Sequence, residues 1–509
     1  MSTVRTIWSG YSVSYSGMST AQRSLGVTSS NISNTSTEGY TRKRAVGEDL
    51  YVSNSSGDGS STGIGATVQS VLRIRNQFLD LQYREQNTET GYAQGKNGLL
   101  ASLQEVINEF NAIDKTSAKT SNGLQETMNK FLSSWTELSK DPTSASCKSS
   151  VLENADSMLG AFNEMATTLL TLRESMANNV RDGVKDVNTV AEQIAELNQQ
   201  IMELETRDVE ASDLRDARDL LIDQVSALAN ITTAVQNNGM VNVYVNGVSL
   251  VNGNKAREME VTGMGTGIDP LKVQWKDLGM DVALTSGSLK CYLDEANPNG
   301  VATIVISTTA TSPPKIIPYD CWSTTANKSA LTTMTNGLND LLVTFAAAVN
   351  NIYNPNKVAG QDFFTSVTTG SAMGLNNIQV NAAYEADYTK IKANSDGTAG
   401  NNDISKAIGV LSSEDGLYNC DGILMNMNTF YSSFVSWLGN AGDTASAEYA
   451  TQSGLLSQIQ TQRSSLSSVS LDDEMSTMIT YQHAYSASAR VMNVVDTLVA
   501  GLISDLGGR

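Results

Sequence analysis

Residues 7–32, IWSGYSVSYSGMSTAQRSLGVTSSNI, and residues 471–492, LDDEMSTMITYQHAYSASARVM, decide the fold of this 509-residue chain. In the first stretch Ile7, Tyr11, Ser14, Met18, Ala21, Leu25, Thr28 and Ile32 recur by alternating steps of four and three, so they fall on one helical seam. In the second, Leu471, Met475, Met478, Gln482, Tyr485, Ala489 and Met492 follow the same rule before the stripe drifts onto Val495, Leu498 and Leu502. Neither stretch contains proline. Heptad stripes at opposite ends of a chain are expected to pair with each other and to hold everything between them as an insertion. That plan is the plan of an assembly subunit.

The N-terminal stripe is weak by itself. From Arg5 to Ser33 there are twelve Ser or Thr and three Gly, and each Gly costs about 1 kcal/mol against Ala in a helix. Residues 1–60 are therefore expected to be mobile in the free chain, with burial completed by a partner. The competing reading is an ordinary terminal helix packed on its own domain.

Composition narrows the function classes. The length implies two to four domains, and a hydrophobic fraction of 40% is enough to build their cores. A formal charge of −19 argues against nucleic acid, whose phosphates need clustered Lys and Arg. The one tight basic cluster, Arg42, Lys43 and Arg44, is too short for that role. No stretch approaches 18 apolar residues, the longest being residues 341–349, so no membrane insertion is expected. The first 30 residues lack the apolar core of a secretory signal. Cys147, Cys291, Cys321 and Cys420 are too dispersed for a zinc site; Cys291 and Cys321 share a candidate domain and either bridge or remain free thiols.

Proline divides the chain. Pro270, Pro298, Pro313, Pro314 and Pro318 crowd one window, and no proline precedes Pro142 or follows Pro355, so the flanks can hold long helices and the window cannot. A Ser/Gly-rich loop at 48–63 follows the first helix, a short extended segment covers 64–71, and helical spacing starts at Phe78. Val180, Val184, Val187, Ala191, Ile194 and Ile201 form a seam interrupted by Asn198, and a helix over 161–204 would be about 65 Å long. At Ile231 the period changes from 3.6 to 2. Residues 231–251 read as a β-meander with turns at Asn238-Gly239 and Asn246-Gly247, and strand character continues at 273–275, near Leu289 and Tyr292, and at 302–307. Helical spacing resumes at Leu338, Leu341, Phe345, Val349 and Ile352, then at Phe430, Phe434 and Trp437, and again at Leu455, Ile459 and Leu466.

The expected fold is mainly α with an inserted β domain. Residues 1–62 with 470–509 would form a coiled-coil rod, 63–230 with 331–469 a long-helix bundle, and 231–330 a small β-rich outer domain.

Catalytic chemistry is hard to place on this chain. The single histidine, His483, sits in the C-terminal stripe, where a coiled-coil end offers no pocket for a nucleophile, and reads as a solvated flank residue. Gly263, Gly265 and Gly267 precede Asp269-Pro270 in place of a helix, so they form a loop and no phosphate cradle. Asp213, Asp216 and Asp219, interleaved with Arg215 and Arg218, read as a solvated salt-bridged helix face. Asp294 and Glu295 are the closest carboxylates in the β window. On a strand they would point to opposite faces, which leaves both on solvated surface. No catalytic residue, metal or cofactor is expected.

Residues 29–44, SSNISNTSTEGYTRKR, resemble the N-terminal signature of the bacterial flagellar axial proteins of rod, hook and junction. Asn31, Asn34, Gly39, Tyr40 and Arg42 match it together with Ile32, while Ser30 and Glu38 stand where that signature has Asn and Pro. Within the group the chain most resembles the hook-associated family that forms the first of two junctions between hook and filament. Gly63-Ile64-Gly65 with Arg73, Phe78, Leu79, Gln82 and Arg84 resembles its second block, with Asn76 in place of the usual Asp. The run LRDARDLLIDQVSALANITTAV at 214–235 resembles its helix-to-β transition. Residues 360–364, Asn402-Asp403 with Ala407, and 470–474 with Gln482, Tyr485, Ala487, Ala489 and Arg490 extend the match.

The resemblance implies a structural junction protein with no enzymatic activity, exported without a cleaved signal and located outside the cell on the flagellum. It implies as partners the hook protein, the second junction protein, copies of itself in a ring, and an export chaperone on the C-terminal helix. Ile7, Tyr11, Met18, Leu25 and Ile32, with Leu471, Met475, Met478, Tyr485 and Met492, would carry the subunit interface. Two alternatives stand beside this reading: a bulk axial subunit such as hook protein or flagellin, and a flagellar-tip enzyme acting through the β domain.

Overall fold

A computed structural model describes residues 2–53, 61–111, 123–207, 209–265, 269–297, 329–368, 370–398, 400–420 and 423–507. The expected strand at 302–307, the partner thiol Cys321 and Gly267 lie outside the described residues. Cys147 and Cys291 are free thiols.

The chain opens with α1 (Ser2–Ser33) and the antiparallel hairpin β1 (Lys43–Ser53) and β2 (Ser61–Arg73). Four helices follow: α2 (Gln77–Asn111), α3 (Leu124–Lys140), α4 (Ala145–Glu205) and α5 (Ser212–Leu228). A four-stranded sheet is built from β3 (Ile231–Val235), β4 (Val241–Val245), β5 (Val248–Asn252) and β6 (Lys255–Ala256), in that order. A three-stranded sheet of β7 (Met259–Thr262), β8 (Lys272–Trp275) and β9 (Met280–Asp281) precedes α6 (Ser288–Ala296). Then come α7 (Ala330–Tyr353), the pair β10 (Phe364–Thr365) and β11 (Gln379–Val380), α8 (Ala382–Ala386), α9 (Asp403–Gly409), and the pair β12 (Tyr418–Cys420) and β13 (Ile423–Met425). The chain ends with α10 (Met427–Ser467) and α11 (Leu471–Gly507).

The architecture is mainly α, with long helices at both ends and the β region in the middle. α4 is longer than its apolar seam suggested, at 61 residues. Ser144 caps it by accepting the Cys147 N–H at 3.3 Å, and no proline interrupts it. Its buried face runs through Val151, Met158, Phe162, Met165, Val180, Val187 and Ile194. α3 and α7 close over it with an aromatic cluster in which Phe131 meets Phe345 and Phe363, and Trp135 meets Tyr353. Asn198, the polar break in the α4 seam, is wholly buried. Its amide donates to the carbonyls of Val241 and Gly253 and accepts the Val241 N–H, tying α4 to the sheet.

The meander forms as the two turns require, each in its own way. Asn246 and Gly247 both take positive φ, 45° and 85°, the two-residue turn that matches strand twist. At the first turn only Gly239 is positive, and the loop is longer, closed by the Gln236 N–H on the Met240 carbonyl.

Two expectations are corrected. The segment around Leu289 and Tyr292 is the helix α6, not a strand: Lys290 pairs with Asp294 one turn on, and Leu289 seats against Gly183 of α4. Tertiary packing overrides a short apolar run whose periodicity fits either state. Glu295 is consequently buried and not at a solvated surface. It accepts the Ser329 hydroxyl at 2.6 Å and the N–H groups of Ala330 and Leu331 at 3.1 Å each, capping the start of α7. Burial raises its pKa, partly offset by those bonds. In the hairpin, β2 pairs with β1 up to Arg73.

Candidate functional site

α1 and α11 lie antiparallel along their length. A Cβ on Gly10 would sit 3.4 Å from Val495, and one on Gly17 would sit 2.8 Å from the Ser488 hydroxyl, while Asn31 reaches Glu474 at the far end. These contacts fix the register. The stripe of α1 on this line is Gly10, Ser14, Gly17, Ala21, Ser24, Thr28 and Asn31, of which the last four and Ser14 are buried. Small side chains let the two backbones approach closely, and the Ser14 hydroxyl is satisfied inside its own helix by the Gly10 carbonyl at 2.7 Å. On α11 the facing stripe contains buried Glu474 and Val495, with half-buried Met478, Tyr481, Ser488 and Met492.

The helix pairing matches the sequence stripes, but the seam is rotated from the one they suggest. Ser14, Ala21 and Thr28 lie in it. Met18, Leu25 and Ile32 are half-buried on its flank, Tyr11 is 42% exposed, and the side chain of Ile7 lies outside the described residues. On α11, Met478 and Met492 are half-buried and Tyr485 is at its edge, whereas Leu471, Met475 and Gln482 face outward. Two glycines seven residues apart explain the rotation. They bring the backbones too close for a central row of Met, Leu and Tyr, which moves one position aside. The signal was present in the spacing Gly10, Gly17, Ser24, Asn31.

The outer face of α11 is left apolar. Met475, Ile479, Val491, Val494, Leu498 and Ile503 are all exposed. By length and composition alone, an 18-residue window within Met427–Ser504 is apolar enough to cross a membrane, with mean hydropathy 1.2 and only 6% of that window buried. The longest unbroken apolar run had not indicated this, because the apolar residues are interleaved with Ser, Thr and Ala. His483 is exposed on the same helix.

Where the helix pair meets the bundle, the residues of the 29–44 signature build a polar clasp. Asn31 uses its amide fully: Nδ2 donates to the Lys43 carbonyl at 2.9 Å and to Glu474 at 3.1 Å, and Oδ1 accepts the Lys43 N–H at 3.0 Å and the Tyr40 hydroxyl at 2.9 Å. Asn34 closes the end of α1 on the Ser30 carbonyl. Gly39, at φ 77°, lies against Leu220 of α5, where a Cβ would meet the leucine at 3.2 Å. Arg42 pairs with Glu474 at 2.7 Å and donates its backbone N–H to Ser467, the last residue of α10.

Beyond it stands a network of ion pairs, largely buried except at the exposed Asp213. Asp216 accepts the Thr41 hydroxyl and Arg73 at 2.7 Å each; Arg73 also meets Asp219, as does Arg75, both at 3.0 Å. Lys43 pairs with Asp213, Arg84 with Asp223 at 2.7 Å, and Arg463 with Asp80 and Asp223. Burial pushes the Asp219 carboxyl up, but Arg75, Arg73, Arg218 and Arg84 outweigh it and hold its pKa below the ordinary carboxylate value. Asp216 and Asp219 are therefore not on a solvated face, and two residues of the 42–44 cluster have a structural task. Sequence spacing could not reveal the partners of Asp216 and Asp219, which come from the residues before β1, from β2, from the segment leading into α2 and from α2 itself.

A family model described as "Flagellar hook-associated protein FlgK helical domain" matches residues 110–364, half of the chain. The chain belongs to the FlgK family of flagellar hook-associated proteins. Two shorter models match the ends, "Flagella basal body rod protein" at 12–41 and "Flagellar basal body rod FlgEFG protein C-terminal" at 460–504. These are the two segments that the clasp joins. The chain is similar to Flagellar hook-associated protein 1 of Bacillus subtilis, 27% identical over 96% of each chain, and to that of Escherichia coli K12, 25% identical over 96% of this chain and 98% of that one. Its fold is similar to that of the flagellar hook junction protein FlgK from Burkholderia pseudomallei, at TM-score 0.57 and 14% identity, covering 76% of this chain and all of the other. As an FlgK-family member the protein has a structural role at the flagellar hook–filament junction.

Proposed function

We propose that the protein joins hook to filament as a structural adaptor, without catalysis, by packing α1 and α11 among the terminal helices of neighbouring subunits in the axial tube. The observation that carries this reading is the two-sided character of α11: one face packed on the small-residue stripe of α1 and an exposed apolar face away from it. A helix with one face satisfied inside the chain and the other uncovered is suited to lateral packing against further helices. The half-buried flank of Met18, Leu25 and Ile32, the outward Leu471 and Met475, and Tyr485 at the edge of the seam supply the contacts between subunits. In this reading the partners are further copies of the chain in a ring, the hook protein on one side and the second junction protein on the other. Before assembly an export chaperone covers the C-terminal helix, and the protein leaves the cell without cleavage of a leader. The signature residues Asn31, Asn34, Gly39, Tyr40 and Arg42 serve the clasp and not the subunit contact.

Immunogold electron microscopy with an antibody against residues 236–329 tests the proposal on intact cells. Label in one band between hook and filament is expected. Label along a whole hook or filament would make the protein a bulk axial subunit, and label confined to the cytoplasm would overturn the adaptor reading.

A further inference from the structure

A cleft of about 540 Å³ opens where the four-stranded sheet meets the three-stranded one, between the β5–β6 edge and the turn that follows β8. Its walls are held from behind. Gly253, in the β5–β6 turn, donates its N–H to Asn242 at 2.8 Å and accepts the buried Asn198 amide on its carbonyl at 2.7 Å, and Asn254 beside it reaches Gln199 of α4. On the other wall Gly279, at φ 62°, closes the turn after β8 with its N–H on the Trp275 carbonyl at 2.8 Å.

Arg257 lies in this cleft with its direction fixed by three contacts. Nε donates to Asp277 at 2.8 Å, Nη1 donates to the Ser249 carbonyl at 3.3 Å, and the guanidinium sits 5.8 Å from the centroid of the Trp275 ring. Nη2 has no protein partner among the described residues. Lys255 also lines the cleft, exposed and without an ion-pair partner among the described residues, whereas Lys276 is paired with Glu258. Both carboxylates of the cleft are thus engaged, and its cationic excess rests on Lys255.

We propose that this cleft binds an acidic saccharide, with the sugar carboxylate on Arg257 and Lys255 and the ring hydroxyls on Asn252, Ser249 and the two paired carboxylates. A guanidinium already held in place loses little freedom on meeting a planar carboxylate, whose geometry its fork matches. The volume is that of a small-molecule site and far exceeds an inorganic anion. Trp275 is only 1% exposed beneath Arg257, so no ring face is offered to a nucleobase. The remaining polar groups, an amide, a hydroxyl and two carboxylates, suit a ligand rich in hydroxyls. The formal charge of −19 repels an anion at long range, so affinity comes from the contacts within the cleft. The site is a property of the single chain and does not depend on the junction reading.

Isothermal titration calorimetry of the full-length chain with digalacturonate tests the proposal, with lactose, acetate and inorganic phosphate as comparison probes. Saturable binding of one digalacturonate per chain is expected, and none of lactose at the same concentrations. Arg257→Gln should weaken binding by about tenfold or more, as the loss of a charge-assisted bond requires, and Lys255→Gln should weaken it less. Because Arg257 also covers Trp275, Arg257→Lys and the exposed Asn252→Ala provide second variants that should bind more weakly with the fold intact by circular dichroism. Absence of saturable binding, or unchanged binding in the folded Arg257 and Lys255 variants, would overturn the site. Equal affinity for lactose, acetate or phosphate would overturn the acidic saccharide as its ligand.

Discussion

The Asn31 amide and the Glu474 carboxylate, 443 residues apart in sequence, meet at 3.1 Å where the first and last helices cross the edge of the bundle. Glu474 is only 2% exposed and has its other oxygen on Arg42, so this one carboxylate joins both helices to the strand that leaves α1. Glu474→Ala is expected to destabilise the terminal unit by about 2 kcal/mol, the cost of leaving charge-assisted partners unpaired. Hydrogen exchange should show α1 and α11 losing protection while α3, α4 and α7 keep theirs. Equal loss in all of them would remove the clasp from this account.

Gly17 tests the close approach of the helices. Gly17→Leu must displace the Ser488 side chain, which a Cβ alone would meet at 2.8 Å, and overpacking of this kind costs roughly 1–3 kcal/mol. The companion change Ser488→Gly should recover most of the loss in thermal melting. The same leucine at Gly26, where nothing stands within 4 Å, should be tolerated.

Subunit contacts are separable from folding. Leu25→Asp and Met478→Asp, on the flanks of the seam, are expected to abolish assembly with the bundle still folded, and Met475→Asp, on the outer face, should do the same with no loss of melting temperature. Swimming plates and circular dichroism of the purified chains check the pair of outcomes. Full motility of the Met475 variant would show that the outer face of α11 is uncovered in the assembled structure.

The depressed pKa of Asp219 has a consequence for acid stability. A carboxyl whose folded pKa lies below its unfolded value near 3.9 stabilises the fold fully above that value and loses the contribution as the pH falls through the folded one. Asp219→Asn should therefore lower stability at neutral pH and flatten its decline below about pH 4. Parallel declines in the two proteins would show that other carboxylates dominate.

Asn198 offers a local test of the sheet. Replacing it with Ala strands the Val241 N–H, two carbonyls and the Arg218 donor that meets its Oδ1 at 3.1 Å. A loss of about 3 kcal/mol is expected from those unpaired groups, concentrated in β4 and the 253 turn. Amide exchange of Val241 and Gly253 should report it first.

The parts of this fold that were legible in sequence are those with a strong local period. The end stripes, the apolar seam of α4 and the two Asn-Gly turns each state their geometry within a few residues. The clasp was visible only as a signature, since nothing in residues 29–44 says that Asn31 would satisfy Lys43 through its backbone or that Thr41 would find Asp216, 175 residues on. The acidic run of α5 looked solvated for the same reason: its arginines arrive from β2 and α2. The rotation of the helix seam shows a different limit. Heptad reading weights large apolar residues, and here glycine and serine decide how closely the backbones approach, so Met18 and Leu25 lie at the sides of the seam and Met475 on the outer face. The helical state of α6 follows from packing against α2 and α4, which a nine-residue window cannot encode.

The main apolar core takes in no described residue of α1 or α11, and this separation also orders events in time. Pairing α1 with α11 closes a loop of almost the entire chain, an entropic cost that local contacts within the bundle do not carry. The bundle, whose helices follow one another closely along the chain, can therefore collapse first, and the terminal pair zips afterwards onto a finished scaffold. The last contacts to form, with no share in the core, are also the first to yield on unfolding. A chain drawn out from either end would thus surrender its assembly helices long before its bundle.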